Sequence, residues 1–321
     1  MNNLRIVFMG TPEFAVASLH ILVKNDYNIV GVVTVADKPA GRGQQLQQSA
    51  VKKYAEAHNL RVLQPENLKA ESFLAELKTL KADLQIVVAF RMLPEVVWNM
   101  PPLGTFNLHA SLLPRYRGAA PINWAIINGD SETGVTTFFL QHQIDTGNII
   151  FREKTSINKI ENAGELHDRL MLMGAALVLK TVKAIETNNV KLISQDELLA
   201  IGEIETHAPK LFKENCKIDW TKNGLSIYNF IRGLNPYPTP FTYLVAPSGN
   251  LHSVKIFKTS LEFTNNTTMI GSIHTDQKTY LKVAVLDAYI HILELQLAGK
   301  KRIGIAEFLR GFTIEGDWTV V

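Results

Sequence analysis

The chain has 321 residues, 46% hydrophobic and 20% charged, with a net charge of +3; this is the mix of a folded globular protein and excludes a disordered or fibrous one. Its length exceeds what one core usually serves, so two domains are expected. The single cysteine, Cys216, excludes an intrachain disulfide and a cysteine-held zinc or iron–sulfur centre, and with no membrane-length apolar run and no basic, cleavable start a cytoplasmic protein without a membrane anchor is expected.

Residues 4–9 (LRIVFM) form a short apolar run stopped by Gly10-Thr11-Pro12, and residues 14–23 then place apolar side chains at helical spacing. Apolar 29–35, helical 50–58, apolar 84–89 and 105–108 continue the alternation. Strands alternating with helices predict an α/β fold with a doubly wound, Rossmann-like parallel sheet. The turn Gly10-Thr11-Pro12-Glu13-Phe14 lacks the G-x-G-x-x-G fingerprint of dinucleotide sites, and Gly41-Arg42-Gly43 is followed by Leu46 where the third glycine would stand. NAD and FAD are therefore not expected. Phosphate-loop, zincin and serine-hydrolase motifs are also missing. The polar, glycine-bearing stretch 36–49 reads on its own as a surface loop.

Residues 105–118 (TFNLHASLLPRYRG) hold the densest chemistry. Alternate residues of a strand share a face, so Asn107 and His109 point the same way, toward the carboxyl end of the sheet where open α/β folds bind ligands. An imidazole that accepts an amine's proton beside an amide that stabilises a tetrahedral oxyanion suits acyl transfer to an amine. Ile144-Asp145-Thr146-Gly147 lies between two strand-like runs, and a carboxylate in such a turn can orient the histidine. No candidate nucleophile accompanies the trio, so direct transfer without a covalent intermediate is expected.

A helical stripe follows over 164–185, and 188–208 turns polar in the manner of a linker. Beyond it, apolar runs at 251–257, 268–274, 281–285 and 290–297, separated by turn signals, predict a small OB-like β-barrel. The expected division is 1–188 catalytic, 189–206 linker and 207–321 β-barrel. From 207 onward Lys+Arg number 13 against 9 Asp+Glu, while the remainder is nearly balanced. Such an excess suits a nucleic-acid-binding appendage, although one of this size also arises by chance.

FMGTPEFA, DKPAGRG, NLHASLLPRYRGAAPINWAIINGD, ETGVT, IDTG, HAPKLFKENCKIDW and IRGLNPYPTPF together resemble the methionyl-tRNA formyltransferase family over almost the whole chain. The Asn, His, Asp pattern and SLLP are common to the wider formyltetrahydrofolate-using superfamily, which includes amino-sugar-nucleotide formyltransferases, whereas KPAGRG and the C-terminal segments are particular to the tRNA enzymes. The resemblance implies 10-formyltetrahydrofolate as formyl donor, methionyl-initiator tRNA as acceptor, no metal, and a monomer acting in translation initiation. It implies that Asn107, His109 and Asp145 are catalytic. Ser111, Leu112, Leu113 and Pro114 then belong to the folate site, with Ala89, Phe90, Arg91 and Met92 in a pterin-binding loop. Arg42, Lys210 and Lys213 are the implied tRNA contacts. Gln141-His142-Gln143, Asn148 and the 90–92 stretch depart from the family's usual pattern.

Overall fold

The computed structural model describes residues 4–40, 45–264 and 268–321. In chain order its elements begin β1 (Arg5–Gly10), α1 (Glu13–Lys24), β2 (Asn28–Val33), β3 (Lys38–Ala40), β4 (Gln45–Gln47), α2 (Ala50–Ala57), β5 (Val62–Leu63), α3 (Glu71–Thr79), β6 (Leu84–Val88), α4 (Glu95–Trp98) and β7 (Thr105–His109). There follow β8 (Arg117–Gly118), α5 (Pro121–Ile127), β9 (Glu132–Phe139), β10 (Ile149–Ser156), α6 (Ala163–Glu186), α7 (Gln195–Ala200) and β11 (His207–Ala208). A 3-10 turn over Lys213–Cys216 leads to α8 (Gly224–Gly233), β12 (Phe241–Val245), β13 (Leu251–Phe263), β14 (Ile273–Thr275), β15 (Leu281–Ala284), β16 (Ala288–Leu297), β17 (Ile303–Gly304), α9 (Ile305–Gly311) and β18 (Thr319–Val320). Two compact units result: Met1–Gly118 with Thr133–Thr155 and His167–His207, and Ala119–Glu132 with Ser156–Leu166 and Ala208–Val321.

The first unit is built on a seven-stranded sheet of order β10-β9-β7-β6-β1-β2-β5. β1, β2, β5, β6 and β7 pair in parallel. The central strands β1 and β6 are apolar on both faces because helices cover both sides of such a sheet. Val7, Met9, Val33, Leu77 and Val87 form one core layer, with Phe73 and Leu63 closing it. Gly10 is required at the strand-to-helix turn, since a Cβ there would stand 2.6 Å from the Cβ of Ala15. Ser49 caps α2 by accepting from the Lys52 N–H at 3.0 Å, which starts the helix shortly after β4.

Within this otherwise parallel Rossmann-like sheet β9 runs antiparallel to β7, with His109 opposite Thr136 and Asn107 opposite Phe138. β9 reads ETGVTTFF and is buried along nearly its length, like its parallel neighbours. Burial pattern alone therefore does not reveal its direction.

The second unit wraps an antiparallel sheet of order β14-β15-β16-β13-β12-β18, with β17 on β16, around Trp220, Ile231, Ile256, Ile290 and Phe308. β12 alternates buried with half-buried residues, and β13 carries exposed residues between its buried ones, the pattern of a sheet with one wetter face. α8 begins at an Asn223 cap that accepts from the Ser226 N–H at 2.8 Å. It crosses α5 closely: a Cβ on Gly233 would lie 2.6 Å from Ile127 Cγ1, and Asn123 Nδ2 donates to the Gly233 carbonyl at 2.7 Å.

Candidate active site

β7 is a buried strand whose Phe106 and Leu108 are packed away, leaving Asn107 and His109 on the opposite face at its carboxyl end. His109 is 6% exposed, and its Nε2 lies 2.8 Å from the Tyr116 carbonyl oxygen. A carbonyl only accepts, so Nε2 carries the proton and donates, and Nδ1 is the bare nitrogen of the neutral ring. Nδ1 faces Asp145 Oδ2 at 3.9 Å. That gap is too long for a hydrogen bond but suits a charge pair once the ring is protonated. Asn107 is half-buried, and among the described residues its amide engages no partner, which leaves it open to a ligand.

Asp145 sits in the turn between β9 and β10 in left-handed backbone conformation, with φ +55°. Its Oδ2 accepts from the Gly118 N–H at 2.9 Å. Two residues on, only glycine fits: a Cβ on Gly147 would stand 1.7 Å from the Phe139 carbonyl oxygen. The turn is held from beneath by Gln195, the first residue of α7 and 2% exposed. Its Nε2 donates to the carbonyls of Asp145 and Gly147, both at 2.9 Å. Its Oε1 accepts from Arg117 Nε at 3.1 Å and Nη2 at 2.7 Å, and Arg117 Nη1 pairs with Glu205 Oε2 at 2.7 Å. Sequence reasoning missed this glutamine because it lies in a polar stretch read as a linker. The signal available was Ser194, a helix cap directly before it.

The segment assigned to the folate site is a tight buried turn. Ser111 is fully buried and its Oγ donates to the Arg115 carbonyl at 2.6 Å. Thr136 Oγ1 donates to the Ser111 carbonyl at 2.6 Å and accepts from the Leu113 N–H at 3.2 Å. Leu113 packs against Phe138, Ile149 and Leu198, while Leu112 is half-buried and Pro114 buried. After β6, Ala89 takes a left-handed φ of +46° and is exposed, Phe90 is half-buried, and Arg91 and Met92 are exposed. Arg91 is tethered to the carbonyls of Pro65 and Glu66 and lies over the Phe90 ring at 5.8 Å.

Arg42 lies outside the described residues. Just before β3 the chain is anchored at Asp37. Asp37 accepts from Lys52 Nζ at 2.5 Å and from Gln64 Nε2 at 2.8 Å, contacts that hold its carboxyl below the usual carboxylate range. In the second unit Lys210 and Lys213 are exposed. Lys210 Nζ stands 5.3 Å over the Phe212 ring, and Lys213 lines a groove of about 520 Å³ with Tyr237, Phe241, Tyr243 and Lys255.

Residues 4–182 match the formyl transferase family and residues 210–313 match the formyl transferase C-terminal domain. An N-formyltransferase from Helicobacter canadensis, solved with folinic acid and dTDP-3-aminofucose, has a TM-score of 0.62 at 21% identity over 94% of this chain and 100% of its own. HypX from Aquifex aeolicus, solved with tetrahydrofolic acid, has a TM-score of 0.62 at 16% identity over 99% of this chain and 51% of its own. At such identities the likeness is one of fold. Sequence relationship is far tighter elsewhere: the methionyl-tRNA formyltransferase of Bacteroides thetaiotaomicron is 56% identical over 98% of both chains. That of Flavobacterium johnsoniae is 56% identical over 99% of both. Sharing more than half its residues with these enzymes from end to end, the chain belongs to the methionyl-tRNA formyltransferase family.

Proposed function

We propose that the protein moves the formyl group of 10-formyltetrahydrofolate to the α-amino group of methionyl-initiator tRNA by direct transfer, with Asn107, His109 and Asp145 as its catalytic trio. The observation that carries this reading is the bare Nδ1 of His109 facing a carboxylate 3.9 Å away, beside an unengaged amide on the same strand face. The amine attacks the formyl carbon, and the Asn107 amide hydrogen-bonds the oxyanion of the tetrahedral intermediate. His109 Nδ1 takes the proton leaving the amine, and Asp145 stabilises the resulting imidazolium. Collapse breaks the bond from the formyl carbon to the folate nitrogen, which receives the proton as tetrahydrofolate departs. Ser111 is no nucleophile in this scheme, because its hydroxyl is spent on the Arg115 carbonyl.

Residues 111–114 and 89–92 supply the donor pocket, the first chiefly as shape and backbone groups, since Ser111 and Leu113 face inward. Arg42, Lys210 and Lys213 contact the tRNA, with the catalytic chemistry in residues 1–188, a connecting segment at 189–206 and tRNA backbone binding in 207–321. The protein acts as a monomer in the cytoplasm; no helix among the described residues is long and apolar enough to cross a membrane. Incubation with 10-formyltetrahydrofolate and charged initiator or elongator methionyl-tRNA, with an amino-sugar nucleotide as rival acceptor, tests the reading. Formylmethionine on initiator tRNA is expected. Formylation of the sugar alone, or of no acceptor, overturns it.

A further inference from the structure

We infer that Gln195 is a positioning residue for the reaction, the brace that sets the Asp145 carboxylate against His109, with Arg117 as its own support. The inference rests on the catalytic reading of Asp145 above. Asp145 holds a left-handed conformation that non-glycine residues rarely adopt, so its turn persists only where surrounding contacts over-determine it. Gln195 supplies two of those contacts, hydrogen bonds to the carbonyls of Asp145 and Gly147 on either side of Thr146, beside the Gly118 N–H on the Asp145 carboxylate.

The side chain's chemistry is used to capacity. Both amide hydrogens go to the turn and the amide oxygen accepts twice from Arg117. Every other residue type lacks this combination at this length: glutamate offers no donor, methionine no polar group, and asparagine falls one methylene short. The brace arrives on the turn by a built route. Ile193 and Ile149 exchange backbone hydrogen bonds of 2.8 and 2.9 Å, fastening the segment to the start of β10, and Ser194 caps α7 so that Gln195 begins the helix facing inward. Arg117 in turn is fixed by Glu205 and by its N–H, which donates to the Thr206 carbonyl at 2.9 Å. Arg117 also precedes Gly118, whose N–H holds the Asp145 carboxylate. The glutamine thus couples both walls of the aspartate's seat.

The test is a double-mutant cycle on the full-length enzyme. Gln195→Met should lower kcat by about 10- to 100-fold, the effect of an ångström-scale misplacement of a reacting constellation, with KM for 10-formyltetrahydrofolate nearly unchanged. Gln195→Glu keeps the length and a partner for Arg117 but removes both donors, and should lose activity comparably while retaining native circular dichroism. In an Asp145→Asn background either substitution should cost less than about threefold further, because residues acting through one group are not additive. A kcat unaffected by both Gln195 substitutions while Asp145→Asn is impaired overturns the brace and leaves the catalytic reading standing. Fully multiplicative losses also overturn it. An unimpaired Asp145→Asn instead removes the reading on which the brace depends.

Discussion

Asn107 and His109 differ in what the fold asks of them, and substitution should separate their roles from stability. Asn107 is half-buried and makes no side-chain hydrogen bond among the described residues, so Asn107→Ala should leave the melting temperature nearly unchanged. Turnover should nevertheless drop by about two to four orders of magnitude, because the oxyanion is then left without its amide donor. His109→Ala should lower turnover within a similar range, with a modest fall in stability because the Tyr116 carbonyl loses its donor. Single-turnover formylation beside thermal melts checks both; a wild-type chemical step in either variant removes that residue from the trio. The pairing of His109 with Asp145 was legible because strand periodicity and a short turn motif each constrain one partner. The tautomer was not, since it depends on a carbonyl seven residues away that the backbone turns inward at Tyr116.

At the level of single elements, the turn between β9 and β10 and the one between β14 and β15 each contain one residue whose replacement should disturb the turn. Gly147→Ala forces a Cβ into the Phe139 carbonyl, so the turn must shift. Turnover should fall by about 100-fold or more, with stability reduced by about 1–3 kcal/mol, read by kinetics and denaturant titration. Asp276 organises the second turn by accepting from the Thr279 hydroxyl and from the Thr279, Lys278 and Tyr280 N–H groups, which hold its carboxyl well below its ordinary range. Asp219 is lowered by Thr221, and Glu262 by His291 and then Lys282. A carboxyl depressed in the folded state contributes fully above its unfolded value and loses that contribution as pH falls toward its folded one. Stability should therefore decline from about pH 5 downward, and Asp276→Asn should flatten the decline in melts between about pH 5 and 3. An unchanged slope would deny Asp276 its part. The strands and helices with long, clean periods, such as β1, α1, β6, α6 and β13, were readable from sequence. α7 was not, because six residues opening QDEL carry too little pattern to stand out from polar loop.

At the scale of the whole molecule, the proposed tRNA contacts fall on exposed lysines of the second unit, the kind of charge that would hold a polyanion. Replacing Lys210, Lys213 and Lys217 with Gln should weaken initiator and elongator tRNA alike and reduce the slope of log affinity against log salt by up to about one unit for each lysine–phosphate pairing removed. Discrimination between the two tRNAs should survive, since phosphate contacts carry no sequence. Equilibrium binding over a salt series decides: an unaltered slope and affinity would return the basic excess to chance. The division into two units has a bearing on synthesis as well. α5 is made early, yet it belongs with α8, whose first residue follows roughly a hundred positions later. At roughly 5–20 residues per second a nascent chain carries α5 for about 5–20 s before its partner exists. Throughout that interval Asn123 and Ile127, the α5 residues that meet Gly233, are without that partner. An enzyme of protein synthesis thus leaves one of its own helices without its partner helix until translation of the message is well past its midpoint.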